Sequence, residues 1–271
     1  QERTWFRGLG SPMVSTSRST VKLQKGIQKG PFFVGFIHAK IPPVNIDTIN
    51  CWIFPVEGRM DRSVFQSIYN QQKVYFNRQA TKSYQQRVEV LKALRARIQK
   101  YESRIIQAMQ ADMAKPETEA AGGEIWYVLE EIDYTLHHLK RWMKPQRKRT
   151  PLLHFRASSS IYPEPFGQIL IMAPWNYPFH LLFSPLVGAL AAGNTAILKP
   201  SELAPQTAEV MEEMINDHFD PGLIRVVNGG VETAQMLLSL PFDYIFFTGS
   251  PRVGKIVMKA AAEYLTPVTL E

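Results

Sequence analysis

The chain has 271 residues, 45% of them hydrophobic and 20% charged, with a net charge of +7 and a single cysteine. That is enough apolar material for a large core, and no apolar run approaches the roughly 20 residues of a membrane-spanning helix. The lone Cys51 excludes an internal disulfide framework and suits a reducing, cytoplasmic setting. Residues 1–60 hold eight Lys/Arg against three Asp/Glu, a balance of +5, which leaves +2 for the other 211. The excess therefore belongs mostly to the first segment and argues against a nucleic-acid binder.

Residues 1–59 carry no sustained helical or strand period, combining GLGSP, STSRST and KIPPVN with short apolar pieces. They are expected to be a non-native or disordered extension, with Met60 as the natural start. From Met60, Val64, Ile68, Gln72 and Tyr75 follow helical spacing. Ser83 and Gln86 resemble a capping box, after which Val88, Leu91, Leu94, Ile98, Ile105 and Met109 mark an apolar helix face. ETEAAGGE, residues 117–124, reads as an acidic loop. A further helix then carries Ile125, Val128, Leu129, Ile132, Leu136 and Leu139 inward and ends before Pro145.

Residues 140–156 contain seven basic side chains and no acidic one, the pattern of a solvated helix end and linker. SSSIYPEPFG, residues 158–167, has the composition of an excursion. Beyond it, strand patterns at 167–173, 195–199, 223–228, 244–248 and 267–270 alternate with helical ones at 180–192, 204–218, 232–240 and 253–264. ILIMA and YIFFT are continuously apolar, as strands buried on both faces are. The expected fold is α/β: a doubly wound parallel sheet of dinucleotide-binding type preceded by helices. Ligands then belong at the carboxyl ends of the strands. The expected divisions are 60–144 for the N-terminal helices, 145–166 for a hairpin and 167–271 for the Rossmann-like core.

Candidate chemistry falls at those strand ends. Gly249, Ser250 and Gly254 form a strand-to-helix turn suited to pyrophosphate, or a tight turn that simply needs small residues. Lys199 and Glu202 close the strand AILK, where they either reach ribose hydroxyls or form a solvated pair, and Ser201 is placed as a helix cap. Asn176 lies between prolines in PWNYP, as an oxyanion donor or a turn former. Glu271, ending the last strand, is a general base if partly desolvated. No HExxH or Cys/His spacing indicates a metal, and neither GxSxG nor a P-loop is present.

PWNYP, LAAGNTAILKPSE (190–202), NGG (228–230), FTGSPRVGK (247–255) and LTPVTLE (265–271), in this order, resemble the aldehyde dehydrogenase superfamily. With YVLEEIDY at 127–134 the pattern is most similar to its class 3 and fatty-aldehyde branch, over residues 60–271. The resemblance implies oxidation of an aldehyde to a carboxylic acid, with NAD or NADP accepting hydride and a cysteine thiolate as nucleophile. It implies that Asn176 donates to the thiohemiacetal oxyanion and that Glu271 activates the deacylating water. It places Lys199 and Glu202 at the adenosine ribose, Gly249 and Ser250 at the pyrophosphate and Trp175 along the cofactor, and gives Gly254 the task of letting the next helix pack closely. It further implies a homodimer of the complete protein, bridged by the hairpin.

The family's nucleophile follows an LELGGK motif, and this chain ends at the first Glu of that motif, so a catalytic domain is expected to be absent. The 271 residues are expected to be inactive alone and prone to aggregate through PVTLE and the hairpin. The alternative is a catalytically dead nucleotide-binding or interaction module.

Overall fold

The computed structural model describes residues 62–271. The extension at 1–59, Cys51 and the proposed start at Met60 lie outside the described residues.

Helix α1 (Arg62–Asn77) buries Phe65, Tyr69 and Gln72, whereas Val64 is exposed. Its inward face is thus turned by about one residue from the expected stripe. The cause is tertiary: Phe65 and Tyr69 pack beneath the sheet with Leu170, Ile197 and Phe242. Gln72 is buried with its Nε2 donating to Ala196 O at 2.9 Å, while its Oε1 finds no partner among the described residues. Helix α2 (Tyr84–Met113) starts as expected, Ser83 Oγ accepting from Gln86 N at 3.1 Å. Leu91, Leu94, Ile98, Ile105 and Met109 are buried along it.

Residues 117–124 are helical and not a loop. Helix α3 (Glu117–Ala120) passes through a π turn (Ala121–Ile125) into α4 (Trp126–Trp142). Two glycines lower helix propensity by about 1 kcal/mol each, which is why the segment reads as a loop. Burial of Ala120, Ala121 and Ile125 overrides that, and the wider turn absorbs the irregularity. Strand β1 (Gln146–Lys148) then pairs antiparallel with β2 (Ser159–Ile161), so the hairpin begins earlier than the irregular stretch at 158–167. Between the strands, Leu152, Leu153 and Phe155 are largely exposed.

The main sheet comprises β3 (Gln168–Met172), β4 (Thr195–Lys199), β5 (Ile224–Val226), β6 (Tyr244–Phe247) and β7 (Val268–Leu270). Their connecting helices are α5 (His180–Ala192), α6 (Pro205–Asn216), α7 (Val231–Leu238) and α8 (Pro251–Ala262). The spatial order is β5-β4-β3-β6-β7, every pairing parallel. Ile169 and Ile171 face one core with α2, α4, α5 and α6, while Leu170 and Met172 face the other with α1, α7 and α8. Helices on both faces of a parallel sheet make this a doubly wound fold, and explain strands that are apolar without alternation.

Helix α5 ends on Gly193 at φ 89°, directly above the Arg87 guanidinium, which donates to Ala191 O at 3.0 Å and Thr81 O at 2.9 Å. A Cβ at Gly193 would lie 2.5 Å from Arg87 Nη2, and the left-handed backbone disfavours any side chain. Gly193→Ala is expected to destabilise the fold by about 2 kcal/mol, read as a lowered urea midpoint; an unchanged midpoint would contradict this account of the cap.

Candidate functional site

Four parallel strand ends define one edge. The register pairs Met172 with Lys199 on one side and with Phe247 on the other, and Phe247 in turn with Leu270. The carboxyl ends of β4, β3, β6 and β7 are therefore level, and the residues leaving them emerge together. Strand order reverses between β3 and β6, where a crevice opens in folds of this kind.

After β6 the chain turns tightly. Gly249 N donates to Glu271 O at 3.0 Å, Glu271 N to Phe247 O at 3.0 Å, and Thr248 N to Met172 O at 3.0 Å. Gly249 and Glu271 are thus neighbours through their backbones. A Cβ at Gly249 would meet the buried Phe247 ring at 2.5 Å, so glycine is required by close approach. Ser250 caps α8, its Oγ accepting from Val253 N at 3.4 Å, and no acidic side chain occupies the helix's first turn. This leaves a helix N-terminus compatible with an anion. Beside it, Thr248 Oγ1 is buried without a hydrogen-bond partner among the described residues, an orphaned polar atom suited to a ligand group.

Gly254 behaves differently from the expectation. A Cβ there would sit 3.7 Å from Leu270 Cδ1 and 3.8 Å from Phe247 Cε1, ordinary contact, so close packing of α8 does not require glycine.

After β4, Lys199 is buried, and its Nζ donates to Pro200 O at 2.8 Å and to Glu202 Oε2 at 3.1 Å. The Glu202 side chain is 44% exposed. Ser201 does not cap α6; its Oγ accepts from Leu203 N at 3.3 Å. The cap comes from α2, where Asp112 accepts from Gln206 N at 3.1 Å and from Thr207 N and Oγ1, each at 2.7 Å. A cap supplied from 94 residues away leaves no local sequence signal.

Trp175 and Asn176 are exposed in the turn between β3 and α5. The Asn176 carbonyl accepts from Lys115 Nζ at 2.8 Å, and Lys115 also donates to Glu124. Glu124 is fully buried; its Oε2 accepts from Phe179 N at 2.8 Å and His180 N at 3.2 Å at the start of α5. Burial raises the Glu124 carboxyl from its ordinary value, opposed by Lys115 and the two amides. Both residues escaped sequence reasoning, because nine-residue spacing across an apparent loop carries no motif. Glu271 is solvent-exposed at its end of the sheet, yet the protein packed around it pushes its carboxyl up.

Among the described residues, no three His, Cys, Asp or Glu side chains cluster so as to hold a metal, and no helix is long and apolar enough to cross a membrane.

Residues 58–271 match the sequence model described as the aldehyde dehydrogenase family. The chain belongs to the aldehyde dehydrogenase family. It is 49% identical over 209 residues to the 4,4'-diaponeurosporen-aldehyde dehydrogenase of Staphylococcus aureus, covering 77% of this chain and 46% of that protein. To aldehyde dehydrogenase family 3 member A2 of Macaca fascicularis it is 46% identical over 185 residues, covering 68% of this chain and 38% of the relative. The solved substrate-bound state of Staphylococcus aureus AldH superposes with a TM-score of 0.75 at 50% identity, over 76% of this chain and 45% of that one. The chain spans somewhat under half the length of these relatives.

The two glycines of this aldehyde dehydrogenase turn separate experimentally. Gly249→Ala is expected to destabilise the chain by about 1–3 kcal/mol as its methyl displaces the Phe247 ring. Gly254→Ala should stabilise it by about 0.5–1 kcal/mol. Urea unfolding of both variants checks the contrast, and equal effects would refute it.

Proposed function

We propose that the described residues form the cofactor and oxyanion half of an NAD(P)-dependent aldehyde dehydrogenase, one that oxidises an aldehyde to a carboxylic acid. The observation that carries this reading is the family match, taken with the gathering of Asn176, Lys199, Gly249 and Glu271 at one level sheet edge. NAD(P), when bound, supplies the hydride acceptor.

Lys199 and Glu202 would hold the adenosine ribose. Their ion pair would keep the Glu202 carboxylate near those hydroxyls, where its charge would favour a 2'-hydroxyl over a 2'-phosphate, hence NAD over NADP. The Gly249 and Ser250 turn and the N-terminus of α8 would receive the pyrophosphate, with Trp175 alongside the cofactor. Asn176 would donate its side-chain amide to the substrate oxyanion. Glu271 would take a proton from the deacylating water, for which a carboxyl pushed up toward neutrality is the better base. Only the ionised form accepts that proton, so deacylation should rise with pH through the raised value.

The sole cysteine of the chain, Cys51, lies outside residues 58–271, so the thiol nucleophile of this chemistry is not supplied by the matched residues. That favours, as the second reading, a nucleotide-binding module for the 271 residues taken alone. The apolar tip formed by Leu152, Leu153 and Phe155 would be covered by a second copy in a homodimer of the complete protein. The single cysteine fits a cytoplasmic setting.

The purified chain is expected to bind NADH, seen as enhanced cofactor fluorescence, and to form no NADH when given aldehyde and NAD. Lys199→Ala should weaken binding about tenfold or more, the loss of one charge-assisted hydrogen bond. Absence of saturable binding would overturn the cofactor reading; aldehyde-dependent NADH formation would overturn the module reading.

A further inference from the structure

Lys115 and Glu124 are both buried, at 6% and 0% side-chain exposure. A buried ion pair is weak evidence of stabilisation, since its desolvation cost often cancels the attraction and apolar replacements can be equally stable. What distinguishes this pair is the set of groups its remaining valences hold. Lys115 Nζ donates to the Asn176 carbonyl at 2.8 Å and lies 4.0 Å from the centre of the Tyr177 ring. Glu124 accepts from the amides of Phe179 and His180. Two charges therefore hold residues 176, 177, 179 and 180, nearly the whole turn between β3 and α5.

The far end of the turn is also anchored without the pair: Phe179 is fully buried and stacks on Phe183, and its carbonyl accepts from Leu182 N and Phe183 N. Tyr177 Oη donates to Glu119 at 3.4 Å and His180 stacks on Tyr127, whereas the backbone of Asn176 itself is bonded to Lys115. Ala173 N donates to Lys199 O at its start and Leu181 N to Tyr177 O at its end. The Asn176 side-chain amide makes no hydrogen bond among the described residues, so what its surroundings fix is the backbone position from which it extends. The α3–π–α4 segment gains a purpose from this: the π turn carries Glu124 inward beneath the turn, and a Cβ at Gly123 would lie 3.8 Å from the Tyr177 ring.

We propose that Lys115 and Glu124 form a clamp that fixes the backbone of the Asn176 turn and thereby sets the position from which the Asn176 amide reaches the substrate, making both positioning residues of aldehyde oxidation. The catalytic consequence rests on the assignment of Asn176 to the substrate oxyanion.

The test uses the natural polypeptide that carries these residues, with Lys115→Met, Glu124→Gln, Asn176→Ala and the double variant Glu124→Gln/Asn176→Ala. Amide hydrogen exchange at Phe179 and His180, which needs no turnover, should quicken in Lys115→Met and Glu124→Gln. In the same variants kcat should fall about tenfold to a hundredfold, the cost of misplacing a group by around an ångström, with KM for the dinucleotide unchanged. The double variant should be no slower than Asn176→Ala, because the clamp acts through Asn176. Multiplying losses in the double variant, or unchanged exchange, would overturn the clamp. A second double variant, Lys115→Met/Glu124→Met, replaces both charges with apolar side chains. If it recovers wild-type kcat, the pair serves packing alone and the proposal falls. Should Asn176→Ala itself turn over normally, the oxyanion assignment fails and the catalytic role falls with it, while the exchange result separately decides whether the clamp exists.

Discussion

Because β3 pairs in parallel with β4 on one side and β6 on the other, each loop that continues the chain's direction of travel leaves the sheet at the same edge. Everything proposed for the site depends on that constraint. The sheet's own chemistry is apolar: Ile169, Leu170, Ile171, Ala196, Ile197, Leu198 and Ile245 are buried against helices on both faces. At the carboxyl ends of the strands, polar groups converge from four separate stretches of sequence. The fold thus supplies proximity, while the residue at each strand end supplies chemistry.

The edge holds its polar groups in two ways. Lys199 and Glu202 are local, three residues apart, one buried and one half in solvent, so the carboxylate keeps a hydrated face for a ligand. The Asn176 turn is held from a distance by Lys115 and Glu124. Burying an ion costs several kcal/mol even after relaxation, so the charges are tolerated only because their donors and acceptors are used: Lys115 bonds a carboxylate and a carbonyl, and Glu124 accepts two amides at a helix start. The His180 imidazole beside them is pushed toward its neutral form by burial and, secondarily, by the Lys115 ammonium.

The sequence pattern made the strands and helices after residue 167 legible, because continuous apolar runs alternate there with 3.6-residue periods between clear turn residues; the helix expected at 180–192 coincides with α5. Turn residues of the site were legible for the same reason, since Gly249, Ser250, Lys199 and Asn176 sit where a strand pattern stops. What escaped the pattern was set by distant partners. Asp112 displaces Ser201 as the cap of α6, the Phe65 and Tyr69 contacts rotate α1 by about one residue, and burial of Ile125 holds a glycine pair in a helical turn. None of these has a local signature: propensity sees Gly122 and Gly123, whereas the structure is decided by what Glu124 reaches. Gly254 errs in the opposite sense, a motif position whose surroundings would accept a methyl group.

Asn176 and Glu271 follow β3 and β7, which flank β6. Two inter-strand spacings separate those strand ends by about 10 Å. On the proposed roles, a reacting carbon served by both residues would lie above the end of β6, over Gly249. A side chain at 249 would displace the buried Phe247 ring, so glycine is kept beside this proposed substrate space. The backbone bonds between Gly249 and Glu271, and between Phe247 and Glu271, fix one wall of this space, and the Lys115–Glu124 clamp fixes the opposite one. With both walls held by main-chain hydrogen bonds, the remaining freedom is that of the Asn176 and Glu271 side chains.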